Sequence, residues 1–531
     1  MNKFIKYYIA PLVAVLFTAC AEDKGNYEYH DINEVTILGI NEGETVTKVS
    51  FIDHLVIDPQ ITSSAGRNNE NDYEYTWKML PAGADFDKIE NIEEAVISHE
   101  RKIDQLVTWE PGDYSMFFIV KDKQNGLCTT ASFKLRVKST TSEGWMVLCD
   151  DNGKARMDII FNVDADNDLI AHNIWQASDF DPGKPVRIIY NYNLYETAAL
   201  LVTDKSTYNL DVTDLHAGED NELKWRFGIP PEGLRVKASA MSQFSINNMW
   251  VIVNEKDEVY ALDRSVNNSM FEFPINKVDG TTDFKAAPFV GVSYNNQYSG
   301  GYGCAPAVLY DMTHRQFLII RNNSQYPSPI TFSGSTMFTA ETGRDMVWME
   351  SAKDGRIYSI LRDPADNRLY FYCFELRANY TPGNYWWEEG KYEEYNIQHY
   401  YGEVLGDGLA NASMFAVNHQ FPYIFYANGN SIYQFDMGHP DEEAKEVLNF
   451  PGETIRTIKF CPMVAWEQYE EWERQRGYQL VVATVKDGAD TNECGVVRMY
   501  DVPNLMAPLV KQKEYTGLGN IVDITYKERK K

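Results

Sequence analysis

The chain is short of positive charge. It carries 49 Lys and Arg against 77 Asp and Glu, a formal net charge of −28. Such a protein is repelled by nucleic-acid backbones and by anionic membrane surfaces, so no nucleic acid is expected as a partner. The same acidity serves solubility. Histidine is sparse at nine, and none falls in H-E-x-x-H or in a close His pair with zinc-ligand spacing. A G-x-S-x-G elbow, a P-loop and a dinucleotide-binding glycine motif are all missing. No catalytic residue and no cofactor is therefore assigned, and whether the chain is an enzyme stays open, with a non-catalytic role favoured. The seven cysteines contain no C-x-x-C pair, which excludes a zinc ribbon or thioredoxin motif. The helical 3.6-residue period is nearly absent too; only 463–477, with EQYEEWERQR, carries it.

What is present is length and aromatic surface. At 531 residues the chain is too long for one core, so two or more domains are expected. Aromatics reach 13%, with 34 Tyr and 11 Trp, residues that suit β surfaces and ligand platforms equally.

The first twenty residues, MNKFIKYYIAPLVAVLFTAC, read as a charged segment, a short apolar run and small residues before Cys20. The apolar run is too short to span a bilayer. The pattern resembles a bacterial lipoprotein signal with Cys20 as the lipidated first residue of the mature chain. The Ala21-Glu22-Asp23 that follows resembles the surface-export signal of Bacteroidota lipoproteins. The resemblance implies an outer-membrane protein anchored by its lipid and exposed at the cell surface. Residues 21–34 read as a tether. Of the other six cysteines, most lie in apolar strand-like runs such as VLCDD and FYCFEL, where a small buried hydrophobe is expected.

Residues 35–138 alternate as short strands around Trp77, the pattern of a β-sandwich. Tyr75-Thr76-Trp77 followed by Pro111-Gly112-Asp113-Tyr114 resembles a PKD-type immunoglobulin-like domain, with Trp77 and Tyr114 in its core. After a polar linker, 139–144, a strand–turn–strand unit recurs through 145–531. WVIVNEKDEVYALD (250–263) and YIFYANGNSIYQFD (423–436) share one fourteen-residue frame. Related units start at 145, 200, 308, 348 and 481. Asn428-Gly429 signals a type I′ turn, because both residues tolerate positive φ. About seven such hairpins, with doubly apolar runs such as LVVATV and LYFYCF, point to a β-propeller of about seven blades, six or eight being the alternatives. The fold class is therefore all-β, a PKD-like sandwich followed by a propeller. The terminal strand NIVDITYKERKK (520–531) is expected to join the first blade and close the ring.

Together, the lipobox, DKGNYEYHDINEVTI (23–37), the PKD-like domain, the aromatic hairpin and the terminal GLGNIVDITYKE (517–528) resemble the PKD-like lipoproteins of Bacteroidota. These are similar in context to accessory lipoproteins of SusC/SusD-type uptake systems. The resemblance implies nutrient capture beside such a transporter, with a peptide or glycan as ligand, and supplies no catalytic residues. A surface hydrolase or lyase, or a purely structural assembly subunit, remain the alternatives.

Two irregular loops are suited to holding a ligand. SYNNQYSGGYGCAP (293–306) offers Tyr298 and Tyr302. The segment 379–403 offers Tyr385, Trp386, Trp387, Tyr400 and Tyr401 amid acidic groups. Aromatics on loops of a rigid scaffold stack on sugars or clamp peptide side chains. Asp164, Asp166 and Asp168 alternate as calcium ligands do, but no glycine or distal Glu follows at the required spacing, so a solvated turn is expected there. His399 and His419 are expected to be hydrogen-bonded structural residues.

Overall fold

The computed structural model describes residues 32–529 apart from 85–94, 243–248, 264–269, 295–305, 382–390, 464–468 and positions 51, 68, 177, 194, 195, 322, 323, 335 and 462. Cys20, Cys304 and the signal segment lie outside the described residues, as do Tyr298, Tyr302, Tyr385, Trp386 and Trp387. The chain divides into two units after Val137.

In the first unit, a five-stranded antiparallel sheet runs in the order Thr45–Val49, Cys128–Lys138, Gly112–Asp122, Tyr73–Pro81, Val96–Ser98. Two strand pairs, Val35–Leu38 with Gln60–Ser63 and His54–Ile57 with Ile103–Leu106, supply the opposite layer. Alternation puts Trp77, Met116, Phe118 and Leu135 inward against Leu55 and Ile103. Trp77 is fully buried, and its indole N–H donates to the Glu100 carbonyl at 3.1 Å. Tyr114 sits at the edge of this core, its hydroxyl donating to the Glu110 carbonyl at 2.8 Å.

Among the described residues the second unit is built of seven successive antiparallel blade sheets and two short ribbons, Lys277–Val278 with Thr282–Asp283 and Ala378–Thr381 with Lys391–Glu394. Blade 1 comprises Gly144–Asp151, Lys154–Asn162, Asp168–Ala171 and the closing strand Ile521–Lys527. Blade 2 is Pro185–Tyr192, Thr197–Thr203, Thr207–Leu210, and blade 3 is Val236–Met241, Met249–Asn254, Val259–Asp263. Blade 4 is Gly291–Val292, Ala307–Asp311, Gln316–Ile320, Ser328–Pro329. Blade 5 is Asp345–Ser351, Arg356–Arg362, Leu369–Glu375, Ile397–Glu403, and blade 6 is Met414–Val417, Tyr423–Asn428, Ser431–Asp436, Lys445–Asn449. Blade 7 is Glu453–Lys459, Leu480–Lys486, Gly495–Asp501, Val510–Leu518.

The closing strand and the first strands of blades 2 to 7 are neighbours in sequence around a ring, and the ring returns from blade 7 to the closing strand. These seven strands line a central channel, which makes the unit a seven-bladed β-propeller. The closing strand pairs with Gly144–Asp151 from Gly144 opposite Lys527 to Cys149 opposite Ile521, as the lone terminal strand led us to expect.

Burial on both faces accounts for the unbroken apolar runs. In blade 7, Leu480 and Val482 face blade 6, while Val481, Ala483 and Val485 face blade 1. In blade 5, Tyr372 and Phe374 face blade 4, while Phe371 and Cys373 face blade 6. Cys149, Cys373, Cys461 and Cys494 are buried free thiols, and Cys128 is an exposed one.

Three sequence expectations are corrected. The unit at 348–361 is the first hairpin of blade 5, whereas the other six join second to third strands; the true counterpart in blade 5 is Arg356–Arg362 with Leu369–Glu375. The Asn428-Gly429 turn is shifted by one residue. Asn428 pairs with Ser431, so the loop is Gly429-Asn430, and only Gly429 has positive φ, at 60°. That is the type II′ pattern; type I′ occurs instead at Asn152-Gly153, with φ of 53° and 87°. In the 463–477 stretch the described helix is the single segment Glu471–Arg476, opened by a reciprocal Glu470–Glu473 capping box.

Candidate functional site

In a four-stranded meander, the connections from first to second and from third to fourth strand emerge at the same end of the blade. Contacts between the first-to-second connections show that the blades share this end. Asn193 Nδ2 donates to the Ser242 carbonyl at 2.7 Å, Ser293 Oγ to the Gly355 carbonyl at 3.4 Å, and the Lys353 backbone N–H to His419 Nδ1 at 3.0 Å. The His419 ring meets Phe460 edge-on at 5.6 Å, and Arg529 pairs with Glu473. Both aromatic segments leave the propeller on this face. The first is the first-to-second connection of blade 4, with Tyr294 and Pro306 its described ends. The second is the third-to-fourth connection of blade 5. Its base forms a ribbon, Ala378–Thr381 with Lys391–Glu394, fixed to blade 4 by Arg321 Nη2 on Glu394 Oε2 at 2.8 Å and Asn396 Nδ2 on the Thr331 carbonyl at 3.0 Å.

Tyr400 and Tyr401 are adjacent on one strand, so they point to opposite sides. Tyr401 turns toward blade 4, where its hydroxyl accepts from Arg344 Nη1 at 3.0 Å, as does that of Tyr372 at 2.6 Å. The Arg344 guanidinium lies 3.6 Å over the Tyr370 ring. Those partners bind Tyr401 into the blade interface. Tyr400 turns toward blade 6, packs on Phe371 at 5.6 Å, and lines a cavity of about 370 Å³ between blades 5 and 6.

The cavity combines Tyr400, Phe421, Pro422 and Met437 with Asp354, Arg356, His399 and His419. His399 Nε2 is 3.0 Å from Glu375 Oε2, and Arg377 Nη2 donates to the same oxygen at 3.0 Å. Burial pushes the Glu375 carboxyl up, but the His399 and Arg377 bonds outweigh it and hold it below its ordinary value. His419 takes the Lys353 N–H on Nδ1, so its proton sits on Nε2. Burial, with Lys353 adding, lowers His419 to about 3, which keeps the ring neutral.

The channel beneath the same face holds a second polar group. Burial lifts the Glu350 carboxyl, on the inner strand of blade 5, to about 8, opposed by Lys459. Burial lowers Lys353 to about 7, with Cys461 and Glu528 acting against it. Tyr294 is raised by burial and by Glu350, Glu528 and Cys461. Lys459 and Glu528 belong to blade 7 and the closing strand, so these influences reach across the channel.

Of the sequence candidates among the described residues, Tyr400 lines the cavity and Tyr401 does not; Glu350 and Lys353 were not among the candidates. The available signal was WMESAKDG, two charges closing an otherwise apolar strand. His419 is hydrogen-bonded as expected, and it also lines the cavity. The Asp164-Asp166-Asp168 turn is less solvated than expected. Asp164 Oδ1 accepts the backbone N–H of Asp166 at 2.9 Å and of Asn167 at 2.8 Å. Asp168, nearly buried, is bound by Arg476 Nη1 at 2.6 Å and the Tyr515 hydroxyl at 2.7 Å. No cluster of three His, Cys, Asp or Glu able to hold a metal occurs among the described residues.

Residues 20–179 match the PKD-like family, and the N-terminal unit is a PKD-like domain. No curated protein matches the chain. A solved quinonprotein alcohol dehydrogenase-like protein from Bacteroides thetaiotaomicron is similar over 94% of this chain and 100% of its own, at 13% identity and TM-score 0.37. PorZ of Porphyromonas gingivalis, a surface component of the type-IX secretion system, is similar over 77% of this chain and 59% of its own, at 13% identity and TM-score 0.19. Likeness at this level says nothing of ligand or activity.

Proposed function

We propose that the protein is a cell-surface lipoprotein, anchored in the outer membrane through Cys20, that binds or presents a peptide or glycan as an accessory of a SusC/SusD-type importer. The observation that carries the binding part is the shared face. Two aromatic-rich segments from neighbouring blades leave the propeller at one end, beside a cavity of about 370 Å³ lined by Tyr400 and His419. A flat ring beside neutral and charged hydrogen-bonding groups suits a sugar ring or a single amino-acid side chain. The lipobox and acidic export pattern support the surface location, and the PKD-like domain suits a spacer.

The test is binding of glycan and peptide pools to the purified protein, with Tyr400→Ala as the local variant. Binding is expected, weakened about tenfold or more by the loss of the ring, in line with roughly 1–2 kcal/mol for one stacked aromatic. Co-purification of a TonB-dependent transporter from the native membrane is expected as well. Absence of both binding and co-purification would overturn the reading.

A further inference from the structure

We infer that the cavity between blades 5 and 6 holds the acetamido group of an N-acetylated amino sugar, its carbonyl oxygen taken by donors of Asn418 and His419, with Tyr400 on the sugar. This rests on the reading that a ligand docks on this face of the propeller, and it names the group by which that ligand is recognised.

Three side chains that line this cavity end in buried atoms with no hydrogen-bond partner among the described residues: Asn418 Nδ2, His419 Nε2 and Tyr400 Oη. The roles of the first two are fixed by what their other atoms do. Asn418 Oδ1 accepts the backbone N–H of Gln420 at 2.8 Å and of Phe421 at 2.6 Å, so the outer atom is the amide nitrogen, a donor only. His419 Nδ1 accepts the Lys353 backbone N–H at 3.0 Å, so Nε2 carries the ring proton and is a donor as well. The two residues are neighbours in the connection from Val417 to Tyr423, and Asn418 is only 3% exposed. A buried donor without an acceptor is destabilising, and folded proteins keep few of them. A ligand oxygen supplies the acceptor that the fold itself does not.

The lining favours a neutral acceptor. Its charges come in pairs, Arg356 Nη1 at 3.6 Å from Asp354 Oδ2 and His399 Nε2 at 3.0 Å from Glu375 Oε2. Lys353 meets His419 through its backbone and does not line the cavity. A carboxylate would bring unpaired negative charge to a protein of net charge −28, and an amine would face donors with its own donors. An acetamido group has the three features the walls answer. Its oxygen meets Asn418 and His419, its N–H has the Asp354 carboxylate on the lining, and its methyl has Phe421, Pro422 and Met437. The Tyr400 ring gives a sugar a stacking face. A peptide amide offers the same oxygen and N–H but runs on through a Cα at each end, and a space of about 370 Å³ takes one sugar-sized unit, not a length of chain.

The test is calorimetric binding of an N-acetylglucosamine trimer to the full chain, compared with the glucosamine trimer, the glucose trimer of the same linkage and an alanine pentapeptide. The acetylated trimer is expected to bind about tenfold or more tightly than each of the others, because only it fills both donors and the apolar wall. Tyr400→Phe keeps the ring and removes only the unpartnered hydroxyl. His419→Asn keeps an acceptor for the Lys353 N–H and removes Nε2. Each is expected to lose about threefold to tenfold in affinity for the acetylated trimer, the worth of one hydrogen bond. Tyr400→Phe is expected to keep the wild-type melting temperature, since the hydroxyl has no partner in the fold to lose. If the glucose trimer or the pentapeptide binds as tightly as the acetylated trimer, or if both variants bind it as wild type does, the acetamido inference falls and the binding reading stands. If no probe and no glycan or peptide pool binds, both fall. The comparison of probes on the wild-type protein decides even if His419→Asn folds poorly.

Discussion

At the residue scale, Glu350 sets a pH dependence whose sign follows from its upward shift. In the unfolded chain it titrates in the ordinary carboxylate range near about 4; in the fold it titrates at about 8. The folded state therefore binds the extra proton between those values, and stability falls as pH rises through that window, levelling above it. Glu350→Gln cannot ionise. It is expected to match wild type near pH 4 and to exceed it at pH 8 by roughly 2 kcal/mol, a figure discounted for water in the channel. Urea denaturation of both proteins at the two pH values checks this. A gap that is equal at both would mean the carboxyl is not held away from water. Tyr400 and Tyr401 show how far a residue type alone leads. Both were candidates, yet period-two alternation gives Tyr401 to Arg344 and leaves Tyr400 at the cavity. Which of two adjacent tyrosines faces which blade depends on strand register, and nothing local in HYYGE states it.

At the element scale, the hairpins were legible because their chemistry is local, and their register was not. Asn428-Gly429 named a turn at the right place, but the ladder holds Asn428 opposite Ser431 and moves the loop to Gly429-Asn430. Gly429 has open space around a would-be Cβ, so an alanine there meets only the positive φ of 60°. Gly429→Ala is expected to cost about 1 kcal/mol, measurable as a lower urea midpoint at unchanged m-value. A neutral result would show that the turn relaxes to another type. The hairpin at 348–361 was assigned to the wrong pair of strands for a related reason. Asp354-Gly355 makes a good turn signal on either side of a second strand, and the longer connection at 363–368 carries a weaker one. Counting the recurring hairpins gave the blade count because each blade carries one such meander, even though the length of chain between blades varies. The channel residues escaped notice because they are brought together by ring closure, from blades as far apart in sequence as Tyr294 and Glu528.

At the scale of the whole molecule, the propeller is held as a ring by its last dozen residues. Each blade packs on two neighbours, so an open array would expose one apolar face of blade 1 and one of blade 7. The closing strand prevents this. Ile521, Ile524 and Tyr526 are buried in the core shared by blades 7 and 1. Lys527 Nζ donates to the Ser142 carbonyl at 2.8 Å. Arg529 Nε pairs with Glu143 Oε2 at 2.8 Å and Arg529 also binds Glu473, while Lys138 reaches the same Glu143 at 3.0 Å. This joins the start of the propeller, its end and the blade 7 helix in one buried network. Three buried apolar side chains at about 1.5–3 kcal/mol each, with the broken charge network added, reach the 5–15 kcal/mol that typically separates folded from unfolded domains. A chain ending at Gly519 is therefore expected to lose the cooperative thermal transition of the propeller while the PKD-like unit, with its own core around Trp77, keeps its own. Differential scanning calorimetry reads both transitions in one experiment. Ile524→Ala grades the effect, with an expected loss of about 2–4 kcal/mol. A truncated chain whose propeller transition survived would mean that six blades and an open seventh suffice, and that the terminal strand closes a ring already stable without it.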